Sequence, residues 1–346
     1  MTNNIAGRRI AITGGAGFIG HHLALALKRR GAEVDVIDSL QVNNLSAFAG
    51  NADNISNRQL YLHLIHERLD LLHAAGIPVH VLDARDYQTF SPLLATIKPD
   101  VIIHLAAIAH ANQANKNPYS TFDHSLRTLE NALDCSRDRK PHFIYFSSSM
   151  VYGNFATGTV TEETHCEPLG IYGALKFSGE KMVIAYNQVF GLPYTIIRPS
   201  ALYGERCVSR RVGQVFIENA LQGLELQISG DGSDRLDFTY VEDVVQGVTK
   251  AIENPASRNE IFNLTFGGSR SIAQMVDILR THFPTVTVKH APKDRLMPDR
   301  GTLSIDKARR LLGYEPAFPL ETGFPRYIEW YKNLFARNDT LLRRII

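Results

Sequence analysis

The sequence predicts an α/β fold built on a doubly wound parallel sheet, and three observations carry the prediction. Short apolar runs of β character alternate with amphipathic helical segments at the spacing of βαβ units. Val101-Ile102-Ile103-His104-Leu105 is a continuous apolar run with β-branched character, as expected of a parallel strand covered on both faces. The first run, Ile10-Ala11-Ile12, leads into Thr13-Gly14-Gly15-Ala16-Gly17-Phe18-Ile19-Gly20, a turn that opens a helix predicted over 18–30.

Each glycine of that turn has a use. Gly14 takes a backbone conformation that side chains disfavour, Gly17 lets a pyrophosphate approach the backbone, and Gly20 lets the helix pack on its strand. The helix start, with Phe18 and Ile19, offers free N–H groups and partial positive charge to phosphates. Alone, Gly-x-x-Gly-x-x-Gly is also compatible with a plain glycine turn. The second run adds context: Glu33-Val34-Asp35-Val36-Ile37 ends in Asp38, 18 residues after Gly20. A carboxylate there accepts hydrogen bonds from ribose hydroxyls and repels a 2′-phosphate, and no arginine stands beside it, so NAD is expected over NADP. The alternative for Asp38 is a solvated strand end.

Further along, residues 39–57 are polar and rich in Asn, and 58–75 read as an amphipathic helix carrying Leu60, Leu64, Leu71 and Leu72 and ended by Gly76 and Pro78. A third strand, Val79-His80-Val81-Leu82, leads into Asp83. A helix over 87–97 stops before Pro99. After the strand at 101–105, a helix over roughly 120–136 precedes a strand at 142–146. There is no internal repeat and no low-complexity segment.

Composition excludes several classes. The 346 residues suffice for one large or two interleaved domains with a sizeable core. Hydrophobic residues at 44% and charged residues at 21% describe an ordinary soluble chain. A net charge of +2, from 37 basic and 35 acidic residues, provides no electrostatic footprint for nucleic acid or an anionic membrane, and the tail at Arg343 and Arg344 is too short to change this. The three cysteines, Cys135, Cys166 and Cys207, are too dispersed for a disulfide framework or a zinc site, which suits a reducing cytoplasm. Residues 1–9 lack a signal-peptide core, and no run approaches the roughly 20 apolar residues of a membrane span.

The strand at 142–146 runs into Ser147-Ser148-Ser149-Met150-Val151-Tyr152-Gly153. Tyr172 and Lys176, at i and i+4, share one face of the following helix. An ammonium beside a phenol favours the phenolate, so Tyr172 can exchange a proton with a sugar hydroxyl that Ser148 holds. Alone, Tyr-x-x-x-Lys usually means a solvated helix pair. Placed 24 residues after a serine at a strand end, behind a glycine phosphate loop, it is far more specific.

These segments resemble the extended short-chain dehydrogenase/reductase family, in particular its nucleotide-sugar epimerases and dehydratases. The match runs in family order through TGGAGFIG at 13–20, Asp38, Asp83, HLAA at 104–107, SSSMVYG at 147–153, YGALK at 172–176, RPSALYG at 198–204, DFTYVEDVV at 237–245 and SIDKARRLLGYEP at 304–316. The resemblance implies a Rossmann-type sheet with a smaller C-terminal substrate lobe. The sheet domain would span 1–197 and 236–263, and the substrate lobe 198–235 and 264–346. The loop with Gly14, Gly17, Phe18, Ile19 and Gly20 would hold the pyrophosphate of NAD, Asp38 the adenosine ribose, and Asp83 with Ala84 the adenine side. Leu105, Ala106 and Ala107 would line the cofactor. Tyr172 would be the acid/base, Lys176 its helper on the nicotinamide ribose, and Ser148 the hydroxyl partner, with Ser149 as the rival for that role. Helices over 120–136 and 172–190 would form a four-helix bundle across a homodimer.

Departures from the family pattern concern the substrate. Ala201 replaces a usual Asn, Leu236 a usual Arg, and His124 another usual Asn, and the stretch between Asp38 and Asp83 is long. Ser148, Ser149, Arg206 and Arg235 are the expected substrate contacts, with Arg210, Arg211, Arg295 and Arg300 as alternatives to a solvated surface. His104 and His110 lack a second ligand cluster, and no metal is expected. The expected activity is NAD-dependent epimerisation of a nucleotide-activated sugar through a transient 4-keto intermediate. The alternatives are a 4,6-dehydratase, a 4-dehydrogenase or a non-catalytic NAD-binding scaffold. Ser149-Met150 stands where the family's dehydratases carry Asp-Glu, which favours the epimerase.

Overall fold

The computed structural model describes residues 4–49, 57–108, 111–155, 158–293, 297–338 and 341, and the side chains of 111–113 are outside that description. Arg295, His110, Arg343 and Arg344 are among the residues not described.

Seven parallel strands form the central sheet. They are β1 (Arg9–Thr13), β2 (Glu33–Asp38), β3 (Val79–Val81), β4 (Val101–His104), β5 (His142–Phe146), β6 (Tyr194–Arg198) and β7 (Glu260–Asn263), in the order β7-β6-β5-β4-β1-β2-β3. All six pairings are parallel, with Ile12 opposite Val36 and Ile103. The chain starts in the middle, winds out to β3, and returns to wind out the other way. That reversal leaves a crevice between β1 and β4 at their carboxyl ends.

Alternate residues of each strand serve different cores, which is why the strands read as continuous apolar runs. Ile10, Ile12, Val101, Ile103, Ile144 and Phe146 face one side, packed with Leu23, Ala24 and Leu27 of α1 (Phe18–Arg29) and with Val244, Val248 and Ala251 of the helix Val241–Glu253. Ala11, Ile102, Phe143, Tyr145 and Ile196 face the other, packed with Phe90, Leu94, Leu129, Leu133 and Val183 from later helices.

A second core lies beyond the carboxyl ends of the strands. Phe216, Ile217, Met275, Leu279, Phe324, Tyr327 and Tyr331 build it from the helices Val212–Leu221, Ile272–His282 and Leu320–Arg337. Leu60, Tyr61, Leu64 and Ile65 belong to it too, although their helix, α2 (Arg58–Ala74), follows β2 in sequence. Leu72 of the same helix packs in the first core. The long stretch after Asp38 is therefore a strap across both cores, which residue spacing alone does not show. Tyr61 and Tyr331 both donate to the buried carboxylate of Glu218, at 2.7 and 2.8 Å.

One helix differs from its expectation. The segment predicted over 120–136 is α-helical at Pro118–Phe122, takes a π turn at Asp123–Arg127, and resumes at Thr128–Asp134. The hydroxyl of Thr128 donates to the His124 carbonyl at 2.8 Å within that wider turn. Such π turns concentrate at functional sites.

Candidate active site

The carboxyl ends of β1, β2 and β4 open into a cleft. Gly14, Gly17, Phe18, Ile19, Gly20, Asp38, Asp83, Ala84, Leu105, Ala106 and Ala107 all line it. Gly14 has φ +73°, and a Cβ there would sit 2.8 Å from the Ala106 backbone nitrogen. A Cβ at Gly20 would lie 2.5 Å from the Gly15 Cα, so both close approaches require glycine. Asp38 accepts the amides of Ala16 at 3.0 Å and Leu40 at 2.8 Å. Burial pushes its carboxyl up, and those two amides work against the rise. Asp83 is paired with Arg85, whose hydrogen bonds hold its carboxyl down.

The sequence pointed to no arginine beside Asp38, and here the structure corrects it. Arg68 of α2 lines the same cleft and is among the charges that act on Asp38. Thr128, His124, Val42, Asn43, Ser209 and Arg211 complete the lining. For Arg68 a sequence signal existed: it lies one turn from both Leu64 and Leu72, a charge on an apolar stripe.

Beside this cleft, β5 delivers the serines and the helix α3 (Gly170–Phe190) delivers the tyrosine and lysine. Gly179 allows α3 to lie against β5, because a Cβ there would fall within 3 Å of the Tyr145 phenol. At that distance the Lys176 ammonium donates to the Phe146 carbonyl at 2.7 Å. Burial pushes Lys176 down to about 8, with Glu180 acting the other way. Tyr172, one turn earlier on the same face, is half-buried. Ser148 Oγ accepts the Met150 amide at 3.2 Å, so its proton remains to be donated. Ser149 is fully buried, and its Oγ accepts from Arg300 Nη1 at 2.8 Å. Arg300 in turn feels Tyr172 and Arg211, and burial pushes its guanidinium down to about 10.

Two expected substrate contacts are engaged elsewhere. The Arg206 guanidinium pairs with Glu67 at 3.1 Å and lies 5.9 Å from the Trp330 ring centroid, so this residue reaches the cleft region through its backbone. Arg235 is exposed and donates to Ser269 Oγ at 3.1 Å and to the Ser269 carbonyl at 2.7 Å. Arg211 lines the cleft together with Arg68, and Arg300 reaches the serine loop through Ser149. Between β6 and Arg211, Ala201, Arg206 and Arg210 all adopt positive φ, at +38°, +61° and +52°. Backbone strain of this kind gathers at functional loops. Among the described residues no group of three or more His, Cys, Asp or Glu could hold a metal ion.

Known proteins share this architecture. An uncharacterised UDP-glucose epimerase of Bacillus subtilis (strain 168) is 30% identical over 334 residues, covering 94% of this chain and 99% of that protein. UDP-glucuronate 4-epimerase 1 of Arabidopsis thaliana is 28% identical over 356 residues, covering 96% and 78%. The crystal structure of UDP-glucuronic acid 4-epimerase from Bacillus cereus, in complex with UDP-glucuronic acid and NAD, superposes with a TM-score of 0.82 at 27% identity, covering 94% and 99%. A family model matches residues 10–265, from β1 past β7 and through every element that lines the cleft. The chain belongs to the NAD dependent epimerase/dehydratase family.

Proposed function

We propose that this protein interconverts the C4 epimers of a uridine diphosphate sugar, with NAD as resident cofactor. The carrying observation is that Lys176 is bonded at the end of β5, next to the strand β4 whose end opens into the cleft, on one helix face with Tyr172 and beside a serine loop that holds no carboxylate. The residues present fit NAD: a glycine cradle that a Cβ would fill, a helix start for the diphosphate, and Asp38 for the ribose. NAD held there would supply a reversible hydride acceptor for the sugar C4.

The chain's own residues do the rest. Ser148 donates to the sugar 4-hydroxyl and orients it. Tyr172 removes that proton and later gives it back, and the Lys176 ammonium favours the phenolate while it does so. Arg211 and Arg300 form a cationic wall suited to a diphosphate. Dehydration would need an added acid and base at the sugar. Glu180, a carboxylate bonded to this loop through Ser147, is held by Arg198 at 2.7 Å and is buried. Met150 is apolar, so nothing in the loop supplies that chemistry.

Incubation with UDP-glucose and UDP-glucuronate, followed by mass spectrometry and NMR of the sugar, tests this. An unchanged mass with inverted C4 supports epimerisation. Loss of water would replace it with dehydration, and loss of two hydrogens with NADH formation would replace it with oxidation.

The two-lobe division at 198, 236 and 264 and a homodimer belong to the same proposal. Tyr119 and Phe122 on one helix and Val189 on α3 are 85%, 51% and 71% exposed on neighbouring helices. A bundle with a second copy would cover them. No helix among the described residues is long and apolar enough to cross a membrane, and the three free cysteines suit a cytoplasmic setting.

A further inference from the structure

Arg68 is the largest fully buried side chain among the described residues, at 0% exposure, and it lines the cofactor cleft. Its Nε donates to the Arg206 carbonyl at 2.9 Å, and Nη2 donates to the same oxygen. Nη1 is equally buried and has no hydrogen-bond partner among the described residues. Burial pushes Arg68 down to about 10, which leaves it charged at neutral pH. A buried guanidinium satisfied only by one carbonyl is costly unless an anion completes it. Its charge acts on His21 and His22 in the first turns of α1, and on Asp38 at the end of β2. It lines one cleft with Gly17 and Phe18 at the start of that helix and with Asp38.

We infer that Arg68 Nη1 is a ligand of the cofactor's diphosphate, and that the same guanidinium ties this diphosphate to the 205–211 loop. The inference rests on the NAD site proposed above and adds a residue from the strap. Arginine suits the task, since one planar fork can hold a carbonyl on one edge and a phosphate oxygen on the other. The carbonyl it holds belongs to Arg206, a left-handed residue that needs outside support. Ser209 and Arg211, farther along the same loop, line the cleft. Diphosphate binding thus braces the loop that presents Arg211.

The test compares NAD binding, by titration of cofactor-freed protein, in wild type, Arg68→Met and Arg68→Lys. A lost charge-assisted hydrogen bond should weaken NAD binding about 10- to 100-fold in Arg68→Met. Arg68→Lys should recover much of that affinity. A purely structural arginine would lower the melting temperature without changing the affinity of the folded protein, and lysine would not restore it. Folded Arg68→Met with wild-type NAD affinity overturns the inference. If wild type itself binds no NAD, the cofactor reading fails instead. Should Arg68→Met not fold, a crystal structure of NAD-loaded wild type decides. Nη1 within hydrogen-bond distance of a diphosphate oxygen supports the inference, and Nη1 bonded elsewhere overturns it.

Discussion

In the proposed reaction Tyr172 and Lys176 would do different work on one helix face. The ammonium is anchored to the Phe146 carbonyl, so its position does not depend on substrate. Tyr172→Phe removes only the phenolic oxygen and should lower kcat about 10²- to 10⁴-fold while NAD remains bound. Steady-state rates with cofactor content measured on the same sample check this, and near-wild-type turnover would mean that another group moves the proton. Lys176→Ala should weaken cofactor binding as well as rate. On the proposed reading, Asp38 would set the cofactor choice. Both its oxygens accept backbone amides, which fixes the carboxylate at the end of β2, and its charge would repel a 2′-phosphate there. Arg68 does not reverse that preference, because two of its nitrogens are committed to Arg206. Parallel titrations should show NAD bound more tightly than NADP, and equal affinities would defeat the argument.

At the scale of the element, α3 is held by a buried ion pair. Arg198 at the end of β6 meets Glu180 of α3 through two bonds, 2.9 and 2.7 Å, and Ser147 donates to the same carboxylate at 2.5 Å. One interaction thus joins α3, its neighbouring strand and the serine loop. Glu180→Ala leaves Arg198 buried and uncompensated, a loss of about 3–5 kcal/mol. Chemical denaturation would show it, and a loss below about 1 kcal/mol would mean that Arg198 finds water or another partner. Replacing both partners with apolar residues should cost less than replacing one.

For the whole molecule, buried histidines set the acid limit. Burial holds His104 and His142 down to about 3, against about 6.5 in an unfolded chain. Between those values the unfolded state binds more protons, so stability falls as pH falls from about 6.5. At pH 5 these two residues alone cost about 4 kcal/mol, a large part of a typical 5–15 kcal/mol. His21 and His22 shift in the same direction. Asp237, pushed up to about 6 by burial, opposes them between about 4 and 6, as do the raised carboxyls of Asp38, Glu162 and Asp243, but the histidine shifts are larger. Thermal melts should therefore show a clear drop in Tm from pH 7 to pH 5. An unchanged Tm would contradict the assignment. His142→Asn, which removes one of the four groups, should reduce the drop.

Local chemistry made much of this protein legible from sequence. The glycine turn, Asp38, the buried strands and the Tyr-x-x-x-Lys pair each depend on backbone geometry or on i, i+4 spacing, and those are written in neighbouring residues. The helices at 18–29, 87–97 and 170–190 follow for the same reason. What the chain order could not show are contacts between segments far apart. Arg206 is an arginine by sequence in a plausible place, but Glu67, 139 positions earlier, claims its side chain. Ser149 meets Arg300 across 151 positions. The stretch after Asp38 reads as a polar loop and a helix, and only its packing against Tyr327 and Tyr331 makes it a strap. Arg68 had a local signal, a charge on an apolar stripe, but its meaning waited for the cleft that distant residues close around it. A side chain's partner is set by which surfaces the folded core brings together, and that is decided by packing rather than by position in the chain.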